Sequence, residues 1–375
     1  MITPRARPVR AIPVYVSVAL AVFVVSLDAQ DPYAVRLDPV IEQVVRDEKI
    51  PGLAVGIVQN GRLVYSRGFG VTKLGQPNPV TPETLFHMAS ITKPFVATAV
   101  MQLVEQRKVD LDAPVAKYVP YFRLDDPRYT SITVRQMLTH TSGMPDVKDY
   151  LWNKPEYDDG ALERYVRSLA DKKLRFDPGT KFAYSNMAYE VLGDLVAKVS
   201  RVSVEDYVDE HILKPLSMTS STLLIKNADP SKLAAGHSMG RNKIPKVVEF
   251  YPYNRAHTPS SDLLSIVVDM ARWAMANMNR GELDGHRILQ SPTYDVMWKA
   301  YTPPGRNTPP AGIGWFLSQF DGEQSVLHDG QDDGFITMLE MIPARKFALL
   351  FMANCDYVSE KLYMRIVETA GPLSK

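Results

Sequence analysis

Apolar positions at Leu37, Val40, Ile41, Val44 and Val45 recur at helical spacing, and Arg46-Asp47-Glu48-Lys49 followed by Pro51-Gly52 closes the pattern. Residues 36 to 49 are therefore predicted as an amphipathic helix. Leu53 to Gln59 and Arg62 to Phe69 then read as two strands joined by Asn60-Gly61, the strongest short hairpin signal. Beyond them Phe95, Val96, Val100, Met101, Leu103 and Val104 return to helical spacing. Pro94 is tolerated only where backbone N–H groups still lack helical partners, so this helix is expected to start near Ser90.

From about Leu111 to Arg287 helical patterns dominate: Val134 to Leu138, Ala161 to Asp171, Met187 to Arg201, Val204 to Ile212 and Ile266 to Arg280, separated by proline-rich turns. The stretch from Ser217 to Pro259 mixes polar and β-branched residues and predicts no element. Strand signals return at Gly314 to Phe320, Gln324 to His328, Phe335 to Ile342 and Phe347 to Ala353. A last helix from Ser359 to Ala370 carries Leu362, Ile366 and Val367 on its apolar face. Strands at both chain ends with helices between them predict an α+β fold. One antiparallel sheet would be built from residues 31–110 and 288–375 and flanked by the N- and C-terminal helices. Residues 111–287 would form a mainly helical inserted domain, with the site between the two lobes.

The first 30 residues stand apart from this pattern. Arg5, Arg7 and Arg10 precede an apolar stretch from Ala11 to Leu27, and Ala29 offers a small residue before Gln30-Asp31-Pro32, as in an export signal. Cleavage would place the protein in the periplasm or outside the cell. Bulky Leu27 leaves open an uncleaved anchor and association with the inner membrane, although a spanning helix needs about 20 apolar residues. The 375 residues are 45% hydrophobic and 23% charged, enough for a large core, and a net charge of +1 provides no basic excess for nucleic acid. The single cysteine, Cys355, excludes an internal disulfide and offers no metal cluster.

Chemistry is suggested first by Ser90-Ile91-Thr92-Lys93. Residues three apart are neighbours on a helix, so the Lys93 amine can reach the Ser90 hydroxyl and take its proton. Ser-x-x-Lys is short, and a serine at a helix start is more often a cap. A lysine also normally holds its proton, so it needs burial or a partner to act as a base. Tyr184 and Asn186 are spaced to project together from an extended segment, and a tyrosine beside a lysine can relay its proton. His328-Asp329-Gly330-Gln331 lies at the end of a predicted strand, which puts His328 at a hairpin rim and Gly330 where backbone can approach a substrate.

Ser90-x-x-Lys93, Tyr184-x-Asn186 and His328-x-Gly330, in this order, resemble the motifs of the serine β-lactamase and penicillin-binding-protein superfamily. The likeness is to its class C-like branch, with β-lactamase-related esterases, D-amino-acid peptidases and D-alanyl-D-alanine carboxypeptidases. Leu138-Thr139-His140-Thr141-Ser142-Gly143, Pro178-Gly179-Thr180 and Asp110-Leu111-Asp112-Ala113-Pro114-Val115 resemble its connecting landmarks.

The resemblance implies a β-lactamase/transpeptidase-like fold and a serine hydrolase. Ser90 would form an acyl-enzyme with a small ester, amide or peptide while Lys93 and Tyr184 manage protons. Asn186 would hold Lys93 or the substrate's amide side, and His328, Gly330 and Gln331 would form the opposite wall. Backbone N–H groups of Ser90 and Gln331 would make the oxyanion hole, and no metal or organic cofactor is implied. A penicillin sensor or a non-catalytic binding module is the alternative outside catalysis.

Three features depart from the family pattern, one being Ser260, Ser261 and Asp262 where the family often shows glycines between Pro259 and Asp269. Class C β-lactamases begin the third motif with lysine, where this chain has His328, which weakens an antibiotic-resistance reading. Asp329, Asp332 and Asp333 put negative charge near the same wall; if they face the cleft, a substrate with a free amine is favoured over one with a carboxylate. His140, beside Ser142, is expected in a supporting structural role, since the chain has no Gly-x-Ser-x-Gly elbow.

Overall fold

The computed structural model describes residues 32–240, 244–305 and 308–370, so the candidate leader lies outside the described residues. From Leu53 to Val58 the chain runs apolar without alternation and every residue is buried, because both faces of this strand are covered. It is β1 (Gly52–Gln59), paired through Asn60-Gly61 with β2 (Arg62–Gly70). The C-terminal part supplies β3 (Phe316–Phe320), β4 (Glu323–Asp332), β5 (Phe335–Ile342) and β6 (Phe347–Ala353). These six form one antiparallel sheet in the order β2-β1-β6-β5-β4-β3, the N-terminal hairpin joining through β1 and β6.

Each sheet face carries its own core. On one side α1 (Pro32–Glu48) places Leu37, Ile41 and Val44 against Leu53, Val55, Ile57 and Phe351, together with Leu362 and Ile366 of the C-terminal helix Glu360–Ala370. Each such fully buried side chain contributes on the order of 2 kcal/mol from transfer out of water. The other face packs on the large helical core. That core holds α2 (Thr92–Glu105), α3 (Val134–Leu138), α4 (Ala161–Ser168), α5 (Asn186–Ser200) and α6 (Val267–Met278); the C-terminal helix is α7. The helical patterns of the sequence are therefore found as helices. One is placed differently: α6, expected within the inserted domain, lies directly on the sheet. A Cβ on Gly56 of β1 would come within 2.6 Å of Val267 Cγ1.

A second difference concerns β4. The sequence reading stopped this strand at His328, whereas the ladder with β5 continues to Asp332 opposite Phe335, and the turn is Asp333-Gly334. His328 is thus not at a hairpin rim but four residues before the strand ends. Turn-prone Asp329, Gly330 and Asp332 are held extended by pairing with β5. On its other side β4 pairs with β3 only from Glu323 to Leu327, so His328–Asp332 form an unpaired edge facing the start of α2. The unassigned stretch from Ser217 to Pro259 contains little regular structure beyond a short ladder of His237–Ser238 with Lys246–Val247. Among the described residues no helix is long and apolar enough to cross a membrane.

Candidate active site

Ser90 sits in a single 3-10 turn, Ala89–Ile91, that runs into α2, as the position of Pro94 predicts. The residue before it, Ala89, has φ of 49°, a left-handed conformation that costs a non-glycine residue energy and must be held from outside. The surroundings supply that hold. Thr337 Oγ1 donates to Met88 O at 2.9 Å, Met88 N–H donates to Leu263 O at 2.8 Å, and Thr92 Oγ1 donates to Ala89 O at 2.7 Å. Gly330 allows β4 to come this close, since a Cβ there would lie 2.3 Å from Met88 O. Gly330 is itself buried behind the cavity lining, so its contribution is to bring the β4 edge alongside Ser90.

Lys93 is fully buried one turn below. Its Nζ donates to Ser90 Oγ at 2.8 Å and to the Ser260 carbonyl at 2.8 Å. Burial lowers its pKa to about 8, against opposing attraction from Glu190, Asp332, Asp146 and Asp329. About a tenth of such amines are neutral at pH 7, against well under a thousandth for an exposed lysine. The Tyr184 ring centroid lies 5.0 Å from Lys93 Nζ. Dense surroundings push the Tyr184 hydroxyl well above its ordinary value, while a hydrogen bond with Ser90 stabilises the phenolate in the opposite sense. Tyr184 is therefore protonated at rest, with Ser90 between it and Lys93.

His140 holds this tyrosine in place. Its ring stacks on Tyr184 with centroids 4.3 Å apart, and its Nδ1 accepts from the Ser185 N–H at 3.2 Å, so the proton of the neutral ring is on Nε2. Burial, with Lys93 and His328 nearby, keeps the ring well below the usual imidazole pKa. The supporting role expected for His140 agrees with these contacts.

Asn186 opens α5, whose N-cap is Ser185. It does not hold Lys93, as one expectation had it: its N–H and Nδ2 both donate to Asp146 Oδ1, at 2.8 and 3.0 Å, and the lysine's second bond goes to Ser260. Asp146 was missed in the sequence because a lone aspartate after Pro145 in a loop belongs to no period. Glu190 was missed as well. It lies fully buried on α5 below Ser260, whose hydroxyl donates to it at 2.6 Å, and His257 Nδ1 is 3.2 Å from the same oxygen. No sequence signal marked it, since Asn186, Glu190, Asp194 and Lys198 recur at i, i+4 spacing and read as the ordinary polar stripe of a helix.

A cavity of about 360 Å³ opens over Ser90, lined by Tyr184, Asn186, His328, Asp329 and Gln331 with Asp146, Tyr150, Phe182, Thr308 and Phe316. His328 is 2% exposed and its pKa falls to about 4, mainly through burial, with Lys93 adding to the fall and Asp329 opposing it. Its Nδ1 donates to the Asp329 carbonyl at 2.6 Å, which fixes the neutral tautomer and leaves Nε2 as an acceptor. Gln331 is exposed and its Nε2 donates to Asp356 O at 3.2 Å. Of the three aspartates singled out in the sequence, only Asp329 lines the cavity. Asp332 turns inward, taking hydrogen bonds from Ser261 and from His87 Nε2, the latter at 2.8 Å, and Asp333 lies in the β4–β5 turn.

Comparison with known proteins gives a consistent picture. Residues 37–370 match the Beta-lactamase family model. The chain is 28% identical over 325 residues to Protein flp of Staphylococcus aureus strain MW2, covering 86% of this chain and 63% of that protein. It is 28% identical over 346 residues to the unguisins hydrolase ungD' of Aspergillus campestris, covering 88% of this chain and 64% of the relative. The chain thus spans somewhat under two thirds of these relatives. Among solved structures, an octameric penicillin-binding protein homologue from Pyrococcus abyssi superposes with a TM-score of 0.77 at 28% identity, over 91% of this chain and 78% of that one. SurE superposes at 0.75 with 24% identity, over 92% of this chain and 76% of that one, a likeness of fold. With nearly its whole described length matched, this chain belongs to the Beta-lactamase family.

Proposed function

We propose that the protein is a serine hydrolase that works through an acyl-enzyme on a small ester or amide, of D-amino-acid peptide or ester type. The observation that carries this reading is the buried Lys93 with lowered pKa, donating to a Ser90 hydroxyl that opens onto the cavity. A neutral Lys93, or Tyr184 in concert with it, takes the Ser90 proton as Oγ bonds to the substrate carbonyl carbon. The bond from that carbon to the leaving oxygen or nitrogen then breaks, and the leaving group departs with the proton. Water next adds to the ester carbon, giving a proton to the same pair, and Ser90 recovers one as the acid leaves. N–H groups of Ser90 and of the unpaired β4 edge at Gln331 are the donors for the transient oxyanion, a role in which one donor is typically worth a few kcal/mol. The hydrolase among the relatives supports the reaction class and leaves the substrate to experiment.

The test is hydrolysis of three substrates by wild type and Ser90→Ala: a short-chain ester, a D-alanyl-D-alanine peptide and nitrocefin. The reading expects ester or peptide turnover that disappears in the variant. Full turnover by Ser90→Ala contradicts it. Nitrocefin as the best substrate replaces it with a β-lactamase, and a stable penicillin adduct without turnover replaces it with a sensor.

A further inference from the structure

Resting on this reading, we infer that the cleft selects substrates carrying an ammonium group next to the scissile carbonyl, an aminoacyl ester or amide with a free amine, and that Asp329 and Asp146 receive it from two sides. Among the described residues the lining contains two carboxylates and no lysine or arginine. Lys93, the nearest cation, is buried, and both of its hydrogen bonds are used within the protein.

Both acids attract Lys93 through space, but neither is in an ion pair among the described residues. Asp329 is exposed, and its backbone carbonyl accepts from His328 Nδ1. Asp146 collects three donors, the N–H groups of Asn186 and Val147 and the Asn186 amide, all on Oδ1, which leaves Oδ2 unbonded.

The second, independent sign is His328. The residue is almost wholly buried and lines the cavity, and its Nε2 has no hydrogen-bond partner among the described residues. With the ring proton committed to the Asp329 carbonyl, Nε2 can only accept. An acceptor that opens onto the cavity is satisfied by water or by a ligand N–H or O–H. Three acceptors, His328 and Asp329 from β4 and Asp146 from the loop between α3 and α4, therefore face a ligand that donates. A carboxylate in the same place would meet two like charges and no donor cation. Tyr150, Phe182 and Phe316 add aromatic surface, compatible with a cation of modest size.

The experiment uses three kinds of phenyl ester that differ only at the α-carbon: alanine in each configuration, propionate and the methylmalonate monoester, carrying an ammonium, a hydrogen and a carboxylate. Ammonium esters are intrinsically more reactive, so the informative quantity is the alanine-to-propionate ratio of kcat/KM compared between wild type, Asp329→Asn and Asp146→Asn, in which intrinsic reactivity cancels. The inference expects that ratio to fall about 10-fold in at least one variant and the methylmalonate ester to gain, as for loss of an opposite charge in a partly solvated site. Ratios unchanged in both variants overturn it.

A binding arm needs no turnover: calorimetric titration of alaninamide against propionamide, with the same variants. If no ester is turned over but alaninamide binds preferentially and loses that preference in Asp329→Asn, the hydrolase reading fails while the charge selection stands. If esters are hydrolysed and neither arm responds to the variants, the hydrolase reading stands and this inference fails.

Discussion

Two serine-centred clusters lie on either side of the same short segment, and the one that looks more like a catalytic triad is the one closed to solvent. Ser261, His87 and Asp332 are the residue types of a charge-relay set. Yet Ser261 and His87 both bond the same Asp332 oxygen, Ser261 Oγ is 3.4 Å from His87 Nε2, and Ser261 and His87 are sealed from solvent. The cluster ties the end of β4 to the chain before Ser90. Ser90, Lys93 and Tyr184 instead form a chain, amine to hydroxyl to phenol, whose middle member opens onto a cavity. Access and the direction of hydrogen bonding separate a site from a clamp; residue type does not.

The largest expected effect on this contrast comes from the proposed nucleophile and its proposed base. Ser90→Ala and Lys93→Ala should each lower kcat/KM by about 10³-fold or more, since residues acting as a unit lose nearly everything singly. Ser261→Ala should retain turnover within about 10-fold while losing a buried hydrogen bond. Steady-state kinetics of the three variants on one ester decides it, and a Ser261→Ala loss as deep as that of Ser90→Ala would erase the distinction.

Next in size are substitutions that loosen the clamp. Gly330→Ala drives a methyl group to 2.3 Å from Met88 O, which must push β4 away from the strained Ala89 turn. The expected outcome is a loss of about 2 kcal/mol or more in stability by denaturant titration, with activity falling alongside it. Asp332→Ala strands the His87 and Ser261 donors in a buried place and should cost about 1 to 3 kcal/mol by the same measurement. Lost turnover with unchanged stability in Asp332→Ala would recast the cluster as catalytic.

The smallest effect is the most diagnostic of the proton path. Activity that needs neutral Lys93 should fall as pH drops through about 8. The groups acting on that amine are Glu190 from α5, Asp332 and Asp329 from β4 and Asp146 from the loop, all favouring its charged form, opposed by burial. Removing the Glu190 charge in Glu190→Gln should therefore move the acid limb to lower pH, by a few tenths of a unit to about one unit. A limb that stays in place, or moves upward, would mean that the titrating base is not Lys93.

The fold was legible where one physical rule dominated. Helices α1, α2 and α5 and strands β1, β2, β5 and β6 announce themselves because their apolar positions all face a core, and Pro94 marks the start of α2. The full reach of β4 was hidden, because Asp329, Gly330 and Asp332 carry turn chemistry and only the distant partner β5 keeps them extended. Within the site, Ser90, Lys93, Tyr184 and His328 could be picked out by spacing. Asp146, Ser260 and Glu190 could not, since their roles depend on segments meeting across 40 to 167 residues of chain. The division of the three aspartates was equally a matter of strand phase, with Asp329 facing out to the cleft and Asp332 facing in to His87.

The central claim is that Ser90 alone of these buried and half-buried serines is an activated nucleophile. Intact mass and peptide mapping after incubation with a fluorophosphonate tests it directly, on wild type, Ser90→Ala and Ser261→Ala. The account predicts a single adduct on Ser90 in wild type and in Ser261→Ala, and none in Ser90→Ala. An adduct on another serine, or undiminished labelling of Ser90→Ala, would contradict it.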